Sequence, residues 1–296
     1  MNAPAHRHHV VVGVDGSDTS TGAALWAAAL ASTWGCTLVV AHAIPQDGTR
    51  YSPAAVLAES QFISQLREDA EAIVDAALAA VREAYPSVDV QHSVGAGPAG
   101  AFLVDAAAHA RAVVLGSTGS GAFRSLLLGS TALHVANRAP CPVTVWRGTH
   151  THPDSSPVVV GVDGSDLSSA AVDSAFEFAS FFDAPIVAVH TWQGSPSLGA
   201  GGTGLLVDWD TVAQEEEALL GERLSGTAEQ YPDVPVRRVA EQGGSADTIL
   251  REAAGAQLIV VGSHGRGPLL GAMMGSTSQN ILHHARCSVT VCRQQD

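Results

Sequence analysis

The sequence predicts an α/β chain built from two copies of one parallel-sheet unit, and three observations carry that prediction. Short, almost wholly apolar runs such as Val10–Val14 and Ala112–Leu115 have the composition of strands buried on both faces. Helical stretches separate them, and strands alternating with helices imply right-handed crossovers and a parallel sheet. The pattern then repeats: Val11-Val12-Gly13-Val14-Asp15-Gly16-Ser17-Asp18 is echoed 148 residues later by Val159-Val160-Gly161-Val162-Asp163-Gly164-Ser165-Asp166.

Taken in order, Val10–Val14 is the first strand and Asp15–Ser20 a turn rich in helix-capping residues, with Asp15 and Asp18 both able to cap. Thr21–Trp34 is Ala-rich and helical, and Thr37–Ala43 is the second strand. Residues Ala54–Ala84 carry Phe62, Leu66, Ile73, Ala77 and Val81 at helical spacing. Val88–Val94 is the third strand, Pro98–Ala110 a helix, Ala112–Leu115 the fourth strand, Ser130–Asn137 a helix and Val143–Trp146 the fifth strand. His42 and His190 keep the 148-residue offset, whereas Tyr85-Pro86 with Tyr231-Pro232 and Cys141 with Cys287 stand 146 apart. The expected domains are residues 1–147 and 157–296, joined by a Thr-, Ser- and His-containing linker at 148–156. Two homologous halves suggest an intramolecular pseudo-dimer, with a further homodimer as an expectation.

Bulk properties narrow the function classes. A net charge of -14 argues against nonspecific binding to nucleic acid or anionic membranes. All basic residues are arginine, so a Walker A lysine, a Schiff-base lysine and a lysine general base are excluded. The stretch Met1–His9 is polar, no run of about 20 apolar residues occurs, and a cytoplasmic location is the expectation. Cys36, Cys141, Cys287 and Cys292 form no C-x-x-C pair and read as reduced thiols. His6, His8 and His9 read as a solvated end, and His283-His284 has no partner motif.

The candidate chemistry lies in a motif that also occurs twice. Gly116-Ser117-Thr118-Gly119 follows the fourth strand, and nine residues separate it from Gly129-Ser130-Thr131. In the second half Gly262-Ser263-His264-Gly265 is followed after nine residues by Gly275-Ser276-Thr277. A glycine turn at a strand's carboxyl end lets backbone N–H groups approach an anion. A helix start adds unpaired N–H groups and the positive end of the dipole, so one loop plus one helix can hold successive phosphates. Glycines that only turn a strand into a helix are the plainer reading, and identical internal spacing in two copies weighs against it. Asp15 and Asp163 have two open readings, contact with a nucleoside or its metal and capping of the following helix. His42 and His190 read as strand-end hydrogen bonders, since no carboxylate stands near them at ligand spacing.

With these motifs and the closing Ala139-Pro140-Cys141-Pro142-Val143 and Ala285-Arg286-Cys287-Ser288-Val289, the chain resembles a tandem universal stress protein of the ATP-binding branch. The resemblance spans nearly the whole chain. It implies two Rossmann-like domains, each with five parallel strands in order 3-2-1-4-5 and helices on both faces, whose last strands pair with each other. It further implies ATP, with Mg2+, as the ligand of each domain. Gly13, Asp15 and Ala43, or Gly161, Asp163 and Thr191, would border adenine and ribose, and Leu115 or Val261 would pack on the base. Gly116, Gly119, Gly129, Ser130 and Thr131, with Gly262, Gly265, Gly275, Ser276 and Thr277, would hold ribose and phosphates, within loops that also contain Ser117, Thr118, Ser263 and His264. Many relatives place an arginine before the Gly-Ser pair, where this chain has Leu126 and Leu127 or Ala272 and Met273; Arg124 and Arg266 lie inside the signatures and read either as substitutes or as exposed loop arginines. The expected function is a stress-response regulator that binds ATP without committed catalysis. The alternatives are a non-ATP interaction module or cyclic-nucleotide binder and, less favoured, a hydrolase or nucleotidyl-transfer enzyme.

Overall fold

The computed structural model describes residues 9–44, 53–118, 128–148, 151–192, 208–265 and 274–293, with backbone alone over 53–63. They fall into two compact units that divide between His152 and Pro153.

In the first unit β1 (His9–Gly13), β2 (Thr37–Ile44), β3 (Val90–Ala96), β4 (Ala110–Gly116) and β5 (Val143–Trp146) form a parallel sheet in order β3-β2-β1-β4-β5. In the second, β6 (Val158–Gly161), β7 (Ile186–Trp192), β8 (Val236–Gln242), β9 (Leu258–Gly262) and β10 (Ser288–Cys292) repeat it as β8-β7-β6-β9-β10. Strand order therefore reverses at β1 and at β6, and a parallel sheet opens a crevice beyond such a point. Gly13 pairs with both Ala41 and Leu115, so the end of β1 lies between β2 and β4, and β2 continues three residues further to Ile44.

The helices are α1 (Asp18–Trp34), α2 (Pro53–Ala84), α3 (Ala99–Ala106) and α4 (Ser130–Arg138) in the first unit. Those of the second are α5 (Asp166–Phe181), α6 (Trp209–Gln230), α7 (Ser245–Glu252) and α8 (Ser276–His284). Helices α1 and α2 touch each other, as do α3 and α4, and both pairs pack on the sheet. Val10, Val11, Val12, Leu38, Val40 and Trp26 are buried between these layers, and each such apolar side chain contributes about 1.5–3 kcal/mol. Gly22 lets α1 close on β5, because a Cβ there would overlap the Trp146 ring.

The elements follow the sequence pattern with shifts at their ends. Helix α1 begins at Asp18, earlier than expected, because Ser17 is its N-cap and accepts from the Ser20 N–H; Ser165 caps α5 in the same way through Ser168. Capping by Asp15 or Asp18 is thereby corrected, since a serine hydroxyl already occupies that role. Strand β3 starts at Val90, past Val88, whose N–H closes a turn onto the Tyr85 carbonyl. Helix α3 stops at Ala106 and a 3-10 turn, Ala107–His109, carries the chain into β4. Among the described residues no helix is long and apolar enough to cross a membrane.

Candidate functional site

Each unit has a cavity at the carboxyl ends of its central strands. The first, about 200 Å³, is lined from β1 and its turn by Gly13, Val14 and Asp15, from β2 by Ala41, His42 and Ala43, and from β4 by Leu115, Gly116 and Thr118. The start of α4 closes it with Gly129, Ser130, Thr131 and Ala132, while Ser20, Ala99 and Leu103 complete the wall. The second, about 290 Å³, repeats this with Gly161, Val162, Asp163, Val189, Thr191, Val261, Gly262, His264, Gly265, Gly275, Ser276, Thr277 and Ser278. Ser168, Ser245 and Ile249 supply its remaining wall. The second volume stands at the lower end of the range of about 300–1,000 Å³ usual for small-molecule sites, and the first is smaller.

The structure thus brings together most residues singled out from sequence, on three strand ends and one helix start. Gly119 and Arg266 lie outside the described residues, as do Arg124, Leu126, Leu127, Ala272 and Met273. Ser117 and Ser263 do not line the cavities. Their carbonyls accept the N–H groups of Gly129 and Gly275, 2.9 and 2.8 Å away, and so tie each glycine loop to the helix start that follows it.

The acidic residues are held by local turns. Asp15 Oδ1 accepts from the Ser17 N–H (3.1 Å) and hydroxyl (2.6 Å), and Asp163 Oδ1 does the same with Ser165 at 2.9 and 2.7 Å. Each aspartate therefore braces the serine that caps the next helix while remaining on the cavity wall. Asp163 Oδ2 stands so close to Gly265 that a Cβ on that glycine would lie 2.5 Å from it.

The helix starts at the other wall lack such caps. Gly129 and Gly275 are the N-caps of α4 and α8, and neither helix has a side-chain cap hydrogen bond. Among the described residues their first-turn amides therefore remain open to an acceptor placed in the cavity. Among the described residues a Cβ on Gly129 would meet the Ser117 carbonyl oxygen at 3.5 Å, an ordinary contact.

His264 adds a polar group to the second cavity. Its Nδ1 is 3.2 Å from the Ser263 hydroxyl, and its Nε2 is shielded from solvent with no hydrogen-bond partner among the described residues. Burial lowers its pKa, and the Arg293 guanidinium lowers it further. A neutral ring whose Nδ1 accepts from Ser263 carries its hydrogen on Nε2, an unmatched donor at the cavity wall.

Among the cavity residues that sequence reasoning missed are Ser20 and Ser168, Ala99 and Ser245, Leu103 and Ile249, and Ala132 and Ser278, with Arg293 acting on His264 through its charge. Ser20 and Ser168 accept backbone N–H groups of Asp15 and Gly164, an arrangement signalled only weakly by serine density after the first strand. His42 and His190 do make the strand-end bonds expected of them, to the carbonyls of Val14 and Val162 at 2.7 and 2.6 Å. In the second unit the fold also supplies a carboxylate that no local spacing in the sequence signals: α6 carries Glu216 Oε2 to 3.0 Å from His190 Nε2. Among the described residues no cluster of three or more His, Cys, Asp or Glu could hold a metal ion.

Comparison with known proteins agrees with this architecture. The model of the "Universal stress protein family" matches residues 6–147 and again 155–293. Universal stress protein Rv2005c of Mycobacterium tuberculosis is 38% identical over 300 residues, covering 99% of this chain and 100% of that protein. Universal stress protein Rv2623 of the same species is 33% identical over 295 residues, 96% of each chain. The crystal structure of a universal stress protein from Archaeoglobus fulgidus superposes with a TM-score of 0.71 over 98% of both chains at 20% identity, a likeness of fold.

Proposed function

The chain belongs to the universal stress protein family, and from that premise we propose that it is a stress-response regulator that binds one adenine nucleotide, ATP, in each unit. The observation that carries this reading is the pairing, in both cavities, of a glycine turn with an uncapped helix start. Peptide amides converging from two directions suit a chain of phosphates, and Leu115 or Val261 with Leu103 or Ile249 offers the apolar surface that a base needs.

Charge decides the form of the ligand. Asp15 and Asp163 add negative charge, and the described lining residues include no arginine, while the chain has no lysine. A bare triphosphate would meet repulsion there, which favours the nucleotide as its Mg2+ complex, with Asp15 and Asp163 as the carboxylates that would receive the ion. Bound Mg2+ would neutralise phosphate charge.

Binding rather than turnover is the role. Ground-state phosphate contacts alone do not accelerate transfer, which needs stabilisation of developing charge and an oriented nucleophile. The aspartate Oδ1 atoms are already committed to Ser17 and Ser165. Occupancy, and the protein surface that changes with it, is then the output.

The test is to release small molecules from freshly purified protein by heat, identify them by mass, and assay the same preparation for phosphate release. ATP in the supernatant with turnover slower than about one per minute is expected, far below ordinary enzymes. A cyclic nucleotide, an empty protein that also fails to bind added ATP, or turnover of several per second would each overturn the proposal.

A further inference from the structure

The two cavities share a backbone frame, but four corresponding positions in their walls differ in chemistry. Ala43, Ala99, Ala132 and Thr118 of the first are Thr191, Ser245, Ser278 and His264 in the second. On the β2 and α3 side the first cavity therefore presents the methyl groups of Ala43 and Ala99 beside His42. On the β7 and α7 side the second presents a hydroxyl pair, Thr191 Oγ1 and Ser245 Oγ, 2.6 Å apart.

Two hydroxyls bonded to each other use only one of their two hydrogens, so one donor and several lone pairs remain for a ligand. Strand order fixes which part of the ligand meets them. β7 flanks β6 on one side and β9 on the other, so the pair stands across the crevice from the glycine turns. A nucleotide whose phosphates lie on those turns turns its nucleoside end toward the hydroxyls.

The same cavity is also more firmly built at its phosphate end. Ser278 Oγ donates to the Ser263 and Gly275 carbonyls, at 3.0 and 2.9 Å, a brace that Ala132 has no atom to make. His264 adds its buried Nε2, whereas in the first unit the Thr118 carbonyl is taken by the Thr19 hydroxyl of α1.

Resting on the nucleotide reading above, we propose that the second cavity is the discriminating and tighter site of the pair, and that Thr191 and Ser245 are its specificity-determining residues. They hydrogen-bond a polar edge of the nucleoside, while the first cavity accepts nucleotides by shape and phosphate contacts. A wall with hydrogen-bonding groups rejects a ligand lacking the match far more strongly than an apolar wall discriminates between similar bases. Two unequal affinities on one chain make the second unit fill first and the first unit respond only at higher nucleotide concentration.

Calorimetric titration of the full chain separates the sites: G129E leaves the second cavity open, and G275E leaves the first. With Mg·ATP and Mg·GTP as probes, the G129E chain should prefer one base by at least about tenfold and bind it at least about tenfold more tightly than the G275E chain does. The G275E chain should distinguish the two by less than about threefold, and T191V with S245A in the G129E chain should reduce its ratio to that level. If the double replacement unfolds the unit, judged by circular dichroism, S245A alone serves and should lower the ratio in the same direction. Equal base ratios in the two chains, or a ratio untouched by the wall replacements, overturns the inference while leaving the nucleotide reading standing. No binding by either chain overturns both.

Discussion

His190 Nδ1 lies 2.6 Å from the Val162 carbonyl oxygen, joining the end of β7 to the turn that floors the second cavity. A carbonyl only accepts, so Nδ1 carries the hydrogen and Nε2 faces Glu216 Oε2 at 3.0 Å. His42 makes the same bond to Val14 in the first unit, where the buried Ala70 holds the place that corresponds to Glu216. E216A leaves a buried ring nitrogen without its partner and should cost about 1–3 kcal/mol, with E216Q costing less. Urea denaturation measures it, and an unchanged midpoint for E216A would show that the pair is idle.

The glycines of the signature divide into two physical kinds. A Cβ on Gly116 would lie 2.9 Å from the Thr19 carbonyl carbon, and one on Gly262 would lie 3.1 Å from that of Leu167, so these residues let α1 and α5 press against the strand ends. Among the described residues a Cβ on Gly129 or Gly275 finds nothing nearer than 3.4 Å. G116A and G262A should therefore destabilise the chain by about 1–3 kcal/mol. G129A and G275A should shift the melting temperature by less than about 2 °C. Equal thermal losses at all four positions would contradict this division.

His264 makes the second unit sensitive to pH. Burial, followed by the Arg293 charge, holds its pKa below the ordinary histidine value, so the unfolded chain takes up its proton first as pH falls. Between about pH 6.5 and that lowered pKa the unfolded state binds more protons than the folded state, and stability falls as pH falls. H264T should remove this part of the pH dependence, measured by urea denaturation across pH, and R293A should raise the His264 midpoint, followed by proton NMR of the imidazole. Bound phosphate should raise the midpoint as well. A His264 titration at or above the ordinary value in the empty protein would contradict the geometry.

Much of this was legible in the sequence because it is written locally. Apolar runs such as Val10–Val14 mark buried strands, and the duplicated glycine spacing marks the loops at their ends; the observed order β3-β2-β1-β4-β5 is the one that the family resemblance implied. What escaped depends on distance across the fold. Nothing near His190 in the chain announces Glu216, which α6 brings to it from 26 residues away. The hydroxyl of Ser245 meets Thr191 across 54 residues, and only the packing of α7 against β7 makes them neighbours. Gly116 looked like a phosphate residue, yet its bareness also serves the approach of α1. The aspartates Asp15 and Asp163 posed a choice between ligand and turn because both uses need the same side chain; the turn takes one carboxylate oxygen, and the residue still borders the cavity.

The central claim is that peptide amides at two glycine-capped helix starts grip polyphosphate, once in each unit. Calorimetric titration of Mg·ATP into the full chain counts the sites directly. The account predicts two nucleotides per chain, one after either G129E or G275E, and none when both replacements are combined in a chain that keeps its helical circular dichroism. A count left unchanged by the double replacement would place the nucleotide elsewhere and contradict it.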